Sequence, residues 1–322
     1  MRLLCGEIFN LKNTFYTKKH YKICNDVVYL NGKYIIASNY GEILITSNCS
    51  DYSRVKLVNS NEEFIKIIVF NNKCVAIGKS GIVAIIDCND FDNNEFSRLD
   101  ATRLYDITTD GTKVVISGND CKAFVSVDLV NWETKQINKN VSGSMQLGYW
   151  EHILFDGSQF VVGRYVSDMS SGRYYIKKST DLETWDDVIR WDNSGVIYKI
   201  NYFDGKYFLF KNTGYRYIAD LTHLNDNYNL VFTSGIPQKC VCFDNKLYII
   251  CSNTIYGSNA YSNQSNIDVV DLDNLTLITK TVNAGEYRAR SICINNEKIV
   301  CCGDDMPYDS LSGYVSYKYN AD

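Results

Sequence analysis

Trp150-Glu151-His152-Ile153-Leu154-Phe155-Asp156-Gly157-Ser158-Gln159-Phe160-Val161-Val162-Gly163 decides the fold of this chain. Two β-rich runs flank Asp-Gly, a pair that tolerates the positive φ angles of a hairpin turn. Downstream, Arg173-Tyr174-Tyr175-Ile176-Lys177-Lys178 predicts a third strand, and Val188-Ile189, after Ser179–Trp185, a fourth. The segment 148–189 therefore reads as one small antiparallel sheet of four strands.

The rest of the chain repeats it. The first hairpin recurs at Asn31-Gly32, Asn71-Asn72, Asp110-Gly111, Asp156-Gly157, Asp204-Gly205, Asp244-Asn245 and Asn295-Asn296. Subtracting first residues gives spacings of 40, 39, 46, 48, 40 and 51. Four strands at this period mark a propeller, whereas helical repeats would show a 3.6-residue pattern. Apolar runs such as Ile67-Ile68-Val69-Phe70 precede the turns, as expected of inner strands covered on both faces. Second strands end in small residues: Ser38, Gly78, Gly118, Gly163 and Gly303. The expectation is an all-β, seven-bladed β-propeller of four-stranded antiparallel blades, a single domain over residues 1–322. The final strand-like segment, Ser312–Lys318, matches the third strand of the fourth blade, so the last blade needs an outer strand. Thr14–Ile23 is expected to supply it and close the ring, because an open ring leaves an unpaired edge.

Composition bounds the function. Of 322 residues, 45% are hydrophobic and two are proline, which provides for a core without a disordered linker. A net charge of −4 argues against nucleic-acid partners. No window approaches a membrane span, and Met1–Glu7 is too short in its apolar part for a signal peptide. Without export, the twelve cysteines read as reduced thiols, with Cys74, Cys242, Cys251, Cys293, Cys301 and Cys302 packed as small hydrophobes in strands. Cys240-x-Cys242 and Cys301-Cys302 lack zinc-knuckle spacing, and the Asp/Asn-rich stretch 87–95 lacks EF-hand spacing. No metal or cofactor is expected. Neither a nucleophile elbow nor a phosphate loop occurs, so no catalytic residue is assigned.

Ser126-Val127-Asp128-Leu129-Val130-Asn131-Trp132 and Ser179-Thr180-Asp181-Leu182-Glu183-Thr184-Trp185 resemble the Asp-box corner, Ser-x-Asp-x-Gly-x-x-Trp, of sialidase-type propellers. They are one residue shorter and lack the glycine. The resemblance implies the blade plan alone. The sialidase Arg-Ile-Pro motif has no counterpart, since the prolines are Pro237 and Pro307. Hairpins such as Asp204-Gly205-Lys206-Tyr207 resemble those of propellers in phage tails and phage-derived particles of low-GC bacteria.

Insertions fall at 138–148, 164–172, 252–266 and 304–313, all on the face opposite the tight hairpins. They are rich in Tyr, Asn and Ser, the composition of binding loops. Candidate ligand or partner contacts are Tyr165, Asp168, Tyr256, Asn259, Tyr261, Asn263, Tyr308 and Asp309. The expected function is a non-enzymatic binding and assembly propeller. The family look points to a phage or phage-like tail component, made without a signal peptide and carried in a particle. Its expected partner is a cell-surface carbohydrate or another tail or virion protein, without membrane insertion. A glycan-active enzyme and a bacterial intracellular scaffold are the alternatives.

Overall fold

The computed structural model describes residues 16–20, 23–56, 62–87, 90, 94–138, 140–141, 145–146, 148–167, 172–191, 197–211, 214–218, 221, 231–232, 235–256, 261–273, 277–285, 288–304 and 313–319. After β1 (Tyr16–His20), the first sheet is β2 (Cys24–Leu30), β3 (Lys33–Ser38), β4 (Glu42–Thr46) and β5 (Ser53–Lys56). The second is β6 (Phe64–Phe70), β7 (Lys73–Gly78), β8 (Ile82–Asp87) and β9 (Asn94–Arg98). The third is β10 (Leu104–Thr109), β11 (Val114–Gly118), β12 (Lys122–Ser126) and β13 (Glu133–Gln136). A two-stranded hairpin, β14 (Asn140–Val141) and β15 (Met145–Gln146), precedes the fourth sheet. That sheet is β16 (His152–Phe155), β17 (Phe160–Ser167), β18 (Gly172–Ser179) and β19 (Asp186–Trp191). The fifth is β20 (Ile197–Phe203), β21 (Lys206–Lys211), β22 (Gly214–Ile218) and β23 (Val231–Phe232). The sixth is β24 (Ile236–Phe243), β25 (Lys246–Tyr256), β26 (Tyr261–Asp271) and β27 (Leu277–Gly285). The last joins β28 (Arg288–Ile294), β29 (Lys298–Asp304) and β30 (Gly313–Tyr319) to β1, in the order β1-β30-β29-β28.

These sheets are four-stranded antiparallel blades of a β-propeller. An apolar cluster fills each junction between successive blades. Ile35, Ala37 and Ile43 of the first blade, for example, meet Phe64, Ile67 and Cys74 of the second. A further cluster brings Val27, Tyr34, Ile36 and Leu44 of the first blade onto Val300, Cys302 and Val315 of the last. Covered on both faces, β3 and β7 are buried at every position after the first. That is why their sequences do not alternate. The small residues ending the second strands also have a steric reason. A Cβ on Gly303 would lie 2.0 Å from the Arg288 carbonyl oxygen.

Four inner hairpins are two-residue turns with both φ angles positive: Asn31-Gly32, Asn71-Asn72, Asp204-Gly205 and Asp244-Asn245. The expectation of tight hairpins is corrected at the other three. There Thr109–Val114, Phe155–Phe160 and Ile294–Ile299 close four-residue loops. The leading Asp or Asn side chain accepts two backbone amides inside each: Asp110 from Thr112 and Lys113, Asp156 from Ser158 and Gln159, and Asn295 from Glu297 and Lys298.

The corners between third and fourth strands follow one scheme. Asp128 Oδ1 accepts the amides of Val130 and Asn131 at 2.9 and 2.8 Å, and Ser126 Oγ accepts that of Leu129 at 2.8 Å. Ser179 and Asp181 repeat this, and the Trp185 indole donates to the Leu182 carbonyl at 3.2 Å. A third corner, Thr46-Ser47-Asn48-Cys49-Ser50-Asp51-Tyr52, has Thr, Asn and Tyr in the corresponding places. Cys49, Leu129 and Leu182 all have φ near the left-handed region, at 60°, 66° and 65°. Trp185 is buried and Trp132 half-buried. Trp185→Ala should therefore cost about 3–5 kcal/mol, and Trp132→Ala clearly less, read from urea unfolding midpoints.

Two further expectations change. The segments 138–148, 164–172 and 252–266 are not simple loops. Strands β14 and β15 occupy part of the first, and β17 and β18 extend into the second. In the third, β25 and β26 pair along their whole length to Tyr256↔Tyr261. Cross-strand pairing there overrides the weak β-propensity of Asn and Ser. Among the cysteines, Cys24, Cys49, Cys74, Cys121, Cys240, Cys251, Cys301 and Cys302 are buried, but Cys242 is exposed.

Candidate functional site

The inner strands β2, β6, β10, β16, β20, β24 and β28 line a channel, and one residue of each falls at the same register. Asp26, Lys66, Asp106, His152, Lys199, Lys239 and Ser291 each face, across the first hairpin, the residue eleven positions later. In six of the seven strands a β-bulge lies immediately before this residue; β16 has none. Bulges re-aim side chains and cluster beside functional sites. The result is a polar ring at one level of the inner strands.

The acidic members have structural work. Asp26 accepts the amides of Val27 and Ile67, both at 3.0 Å, a hydrogen bond from Ser291 at 2.6 Å, and an ion pair from Lys239. Asp106 accepts the amides of Ile107 at 3.1 Å and Ile153 at 3.4 Å, and pairs with Lys66 and His152, each at 3.7 Å. Ser291 Oγ in turn accepts the Val27 amide at 3.3 Å. In blades one, three and seven, the ring side chain thus reaches an amide on the free edge of the next inner strand. Such edge amides otherwise stay unsatisfied. Burial would raise the Asp106 carboxyl, but the nearby Lys66 and the hydrogen bond to His152 hold it well below the usual range.

The ring separates two cavities. One, of about 320 Å³, lies toward the face of the long hairpins, with Asn25, Glu63, Lys79 and Arg290 in its walls. The other, of about 260 Å³, lies toward the tight hairpins and is walled by Ile68, Thr108, Leu154, Asn201 and Phe203 among others. Asp26, Lys66, Lys199 and Lys239 line both. Burial first, then the charge of Lys66, push the Lys199 amine down to about 7. Between about pH 7 and about pH 10 the folded protein then lacks a proton that the unfolded chain binds, so stability should rise with pH across this window. Urea midpoints measured over that range should show the rise, and Lys199→Met should flatten it.

Beside the channel, on the long-hairpin face, the rings of Tyr105 and Tyr149 stack at 4.3 Å and 4°. Arg164 lies 3.5 Å over Tyr149 and Arg103 5.2 Å over Tyr105, which makes a four-layer ladder. Of the residues expected to bind, Tyr165 sits in β17 opposite Tyr174 and packs partly into the junction between blades four and five. Tyr256 and Tyr261 are brought together as the last cross-strand pair of the β25–β26 hairpin, and Asn263 pairs with Thr254 two rungs below. Asp168, Asn259, Tyr308 and Asp309 lie outside the described residues. Neither the ring nor the ladder was among the expected site residues. The ring had a sequence signal, a polar residue four or five positions before each hairpin turn.

No family model and no curated protein matches the chain. Two solved structures share its architecture. The computationally designed Ika8 protein aligns at TM-score 0.60 and 11% identity, covering 94% of this chain and 98% of that one. The WD40 β-propeller domain of Doa1 aligns at TM-score 0.58 and 10% identity, covering 94% and 95%. Likeness at such identity establishes the fold alone.

Proposed function

We propose that the chain is a non-enzymatic recognition and assembly propeller, a single domain whose seven blades close into one ring through the N-terminal strand. In this reading it is a tail component of a phage or phage-like particle. It binds a cell-surface glycan or a neighbouring virion protein. A β-propeller supports binding or scaffolding in general, and the finer assignment rests on the sequence resemblance.

The observation that carries the reading is the β25–β26 hairpin. Both strands are eleven residues long, and they hold a tyrosine pair at the far end. Tyrosine offers rigid amphipathic contact area at low entropic cost. The channel carboxylates support a non-catalytic role, because Asp26 and Asp106 are each committed to backbone amides and to lysine.

Replacing Tyr256 and Tyr261 with Ser tests the reading. Folding should be unchanged, and retention on whole cells or on the adjacent tail protein should fall about tenfold or more per lost contact, about 1.4 kcal/mol each. Undiminished retention would remove this face from the interaction.

A further inference from the structure

We propose that the polar ring is a binding site for a small oxyanion, a carboxylate or phosphate group held in the channel by Lys199 and Asn201. Charge balance points there first. The ring holds three lysines against two aspartates. Lys239 is paired with Asp26 and Lys66 with Asp106. Among the described residues no carboxylate lies within ion-pair distance of Lys199, whose amine donates to the Gln238 carbonyl at 3.4 Å and lies beside the Lys66 amine. Both aspartates already accept backbone amides and pair with a lysine other than Lys199.

A second observation is independent of charge. Asn201 is two residues along β20, so it shares a face with Lys199 and lines the same cavity of about 260 Å³. Its side-chain nitrogen is buried and has no hydrogen-bond partner. A buried donor without an acceptor is costly, and such groups call for a ligand or an ordered water. An ammonium and an amide N–H converging on one cavity form a donor pair for an oxygen anion. The cavity is large enough for an anion attached to a small organic group, and Lys199 also lines the second cavity, whose walls hold Arg290 and Lys79.

Protonation follows from the surroundings. The groups that face Lys199 are Lys66, Asp106, His152, Cys240, Lys239 and Asp26. With its amine near half-protonated at about pH 7, an anion in contact favours the charged form, so binding takes up a proton as pH rises.

Titration calorimetry with inorganic phosphate and with acetate, at constant ionic strength, tests the site in the full chain. At about pH 6, wild type should bind at least one of the two probes at one site per chain, and Lys199→Met should bind it about tenfold or more weakly. From about pH 7 to about pH 9 wild-type affinity should fall by up to about tenfold per pH unit, whereas Lys199→Arg, which keeps its charge, should lack this fall. Phosphate binding without acetate binding assigns a phosphate ligand, and the reverse a carboxylate. The proposal is overturned if neither probe binds wild type, if Lys199→Met binds within twofold of wild type, or if wild-type affinity is flat across this range. Should Lys199→Met fail to fold, the comparison of wild type with Lys199→Arg decides alone.

Discussion

Removing residues 1–22 should strip the last blade of its outer strand and leave an aggregating or strongly destabilised chain. The deletion takes away β1, which pairs with β30 from Tyr16↔Tyr317 to His20↔Gly313. Five residues of ladder are lost, and the edge of β30 becomes a free template for other chains. At about 1 kcal/mol per net hydrogen bond, the loss is about 3–5 kcal/mol, a large share of the total stability of an ordinary domain. Size-exclusion chromatography and thermal melting report both consequences. A truncated chain that elutes as a monomer with an unchanged Tm would show that the two termini do not hold the ring together.

Asp26→Ala should be nearly as damaging, although it removes only a few atoms. It would leave Lys239 without its carboxylate, and the amides of Val27 and Ile67 without their side-chain acceptor. Breaking one partner of a buried pair costs about 3–5 kcal/mol, because the remaining charge stays desolvated. Asp26→Asn keeps the shape and one acceptor oxygen, and should recover part of the loss. Burial works against the Asp26 charge, but Lys239 and Lys66 hold its carboxyl below the usual range. The stabilisation is therefore complete above about pH 4, the ordinary carboxylate value, and is lost as pH falls through the lower folded value. A urea midpoint shift worth less than about 1 kcal/mol for Asp26→Ala would mean that channel water solvates these groups instead.

The blade plan was legible because it rests on local chemistry. Asn-Gly and Asp-Gly fix the inner turns, Ser-x-Asp fixes the corners, and buried runs such as Lys73-Cys74-Val75-Ala76-Ile77-Gly78 mark strands covered on both faces. The third corner was missed because Asn48 and Tyr52 replace Asp and Trp, while Asn48 Oδ1 still accepts the two amides that define the turn. The channel ring was harder to see. Asp26 and Lys239 are 213 positions apart and meet only in the folded chain. Lys66, Lys199 and Lys239 precede their turns by five residues, but Asp106, His152 and Ser291 by four, because their turns are two residues longer. Aligning on the turn therefore hid a register that is uniform when counted on strand pairing. The β25–β26 hairpin misled in the other direction, since Ser252–Asn266 has loop composition and strand geometry.

Incubating the protein with a labelled glycan array, or with the isolated surface polysaccharide of a bound cell, and analysing the recovered ligand by mass spectrometry tests the central claim most directly. Wild type should retain a glycan, the Tyr256→Ser/Tyr261→Ser variant should retain it about tenfold or more weakly, and the ligand should be recovered at its original length. Recovery of shortened or unsaturated chains would contradict a purely binding role and make the propeller a glycan-active enzyme.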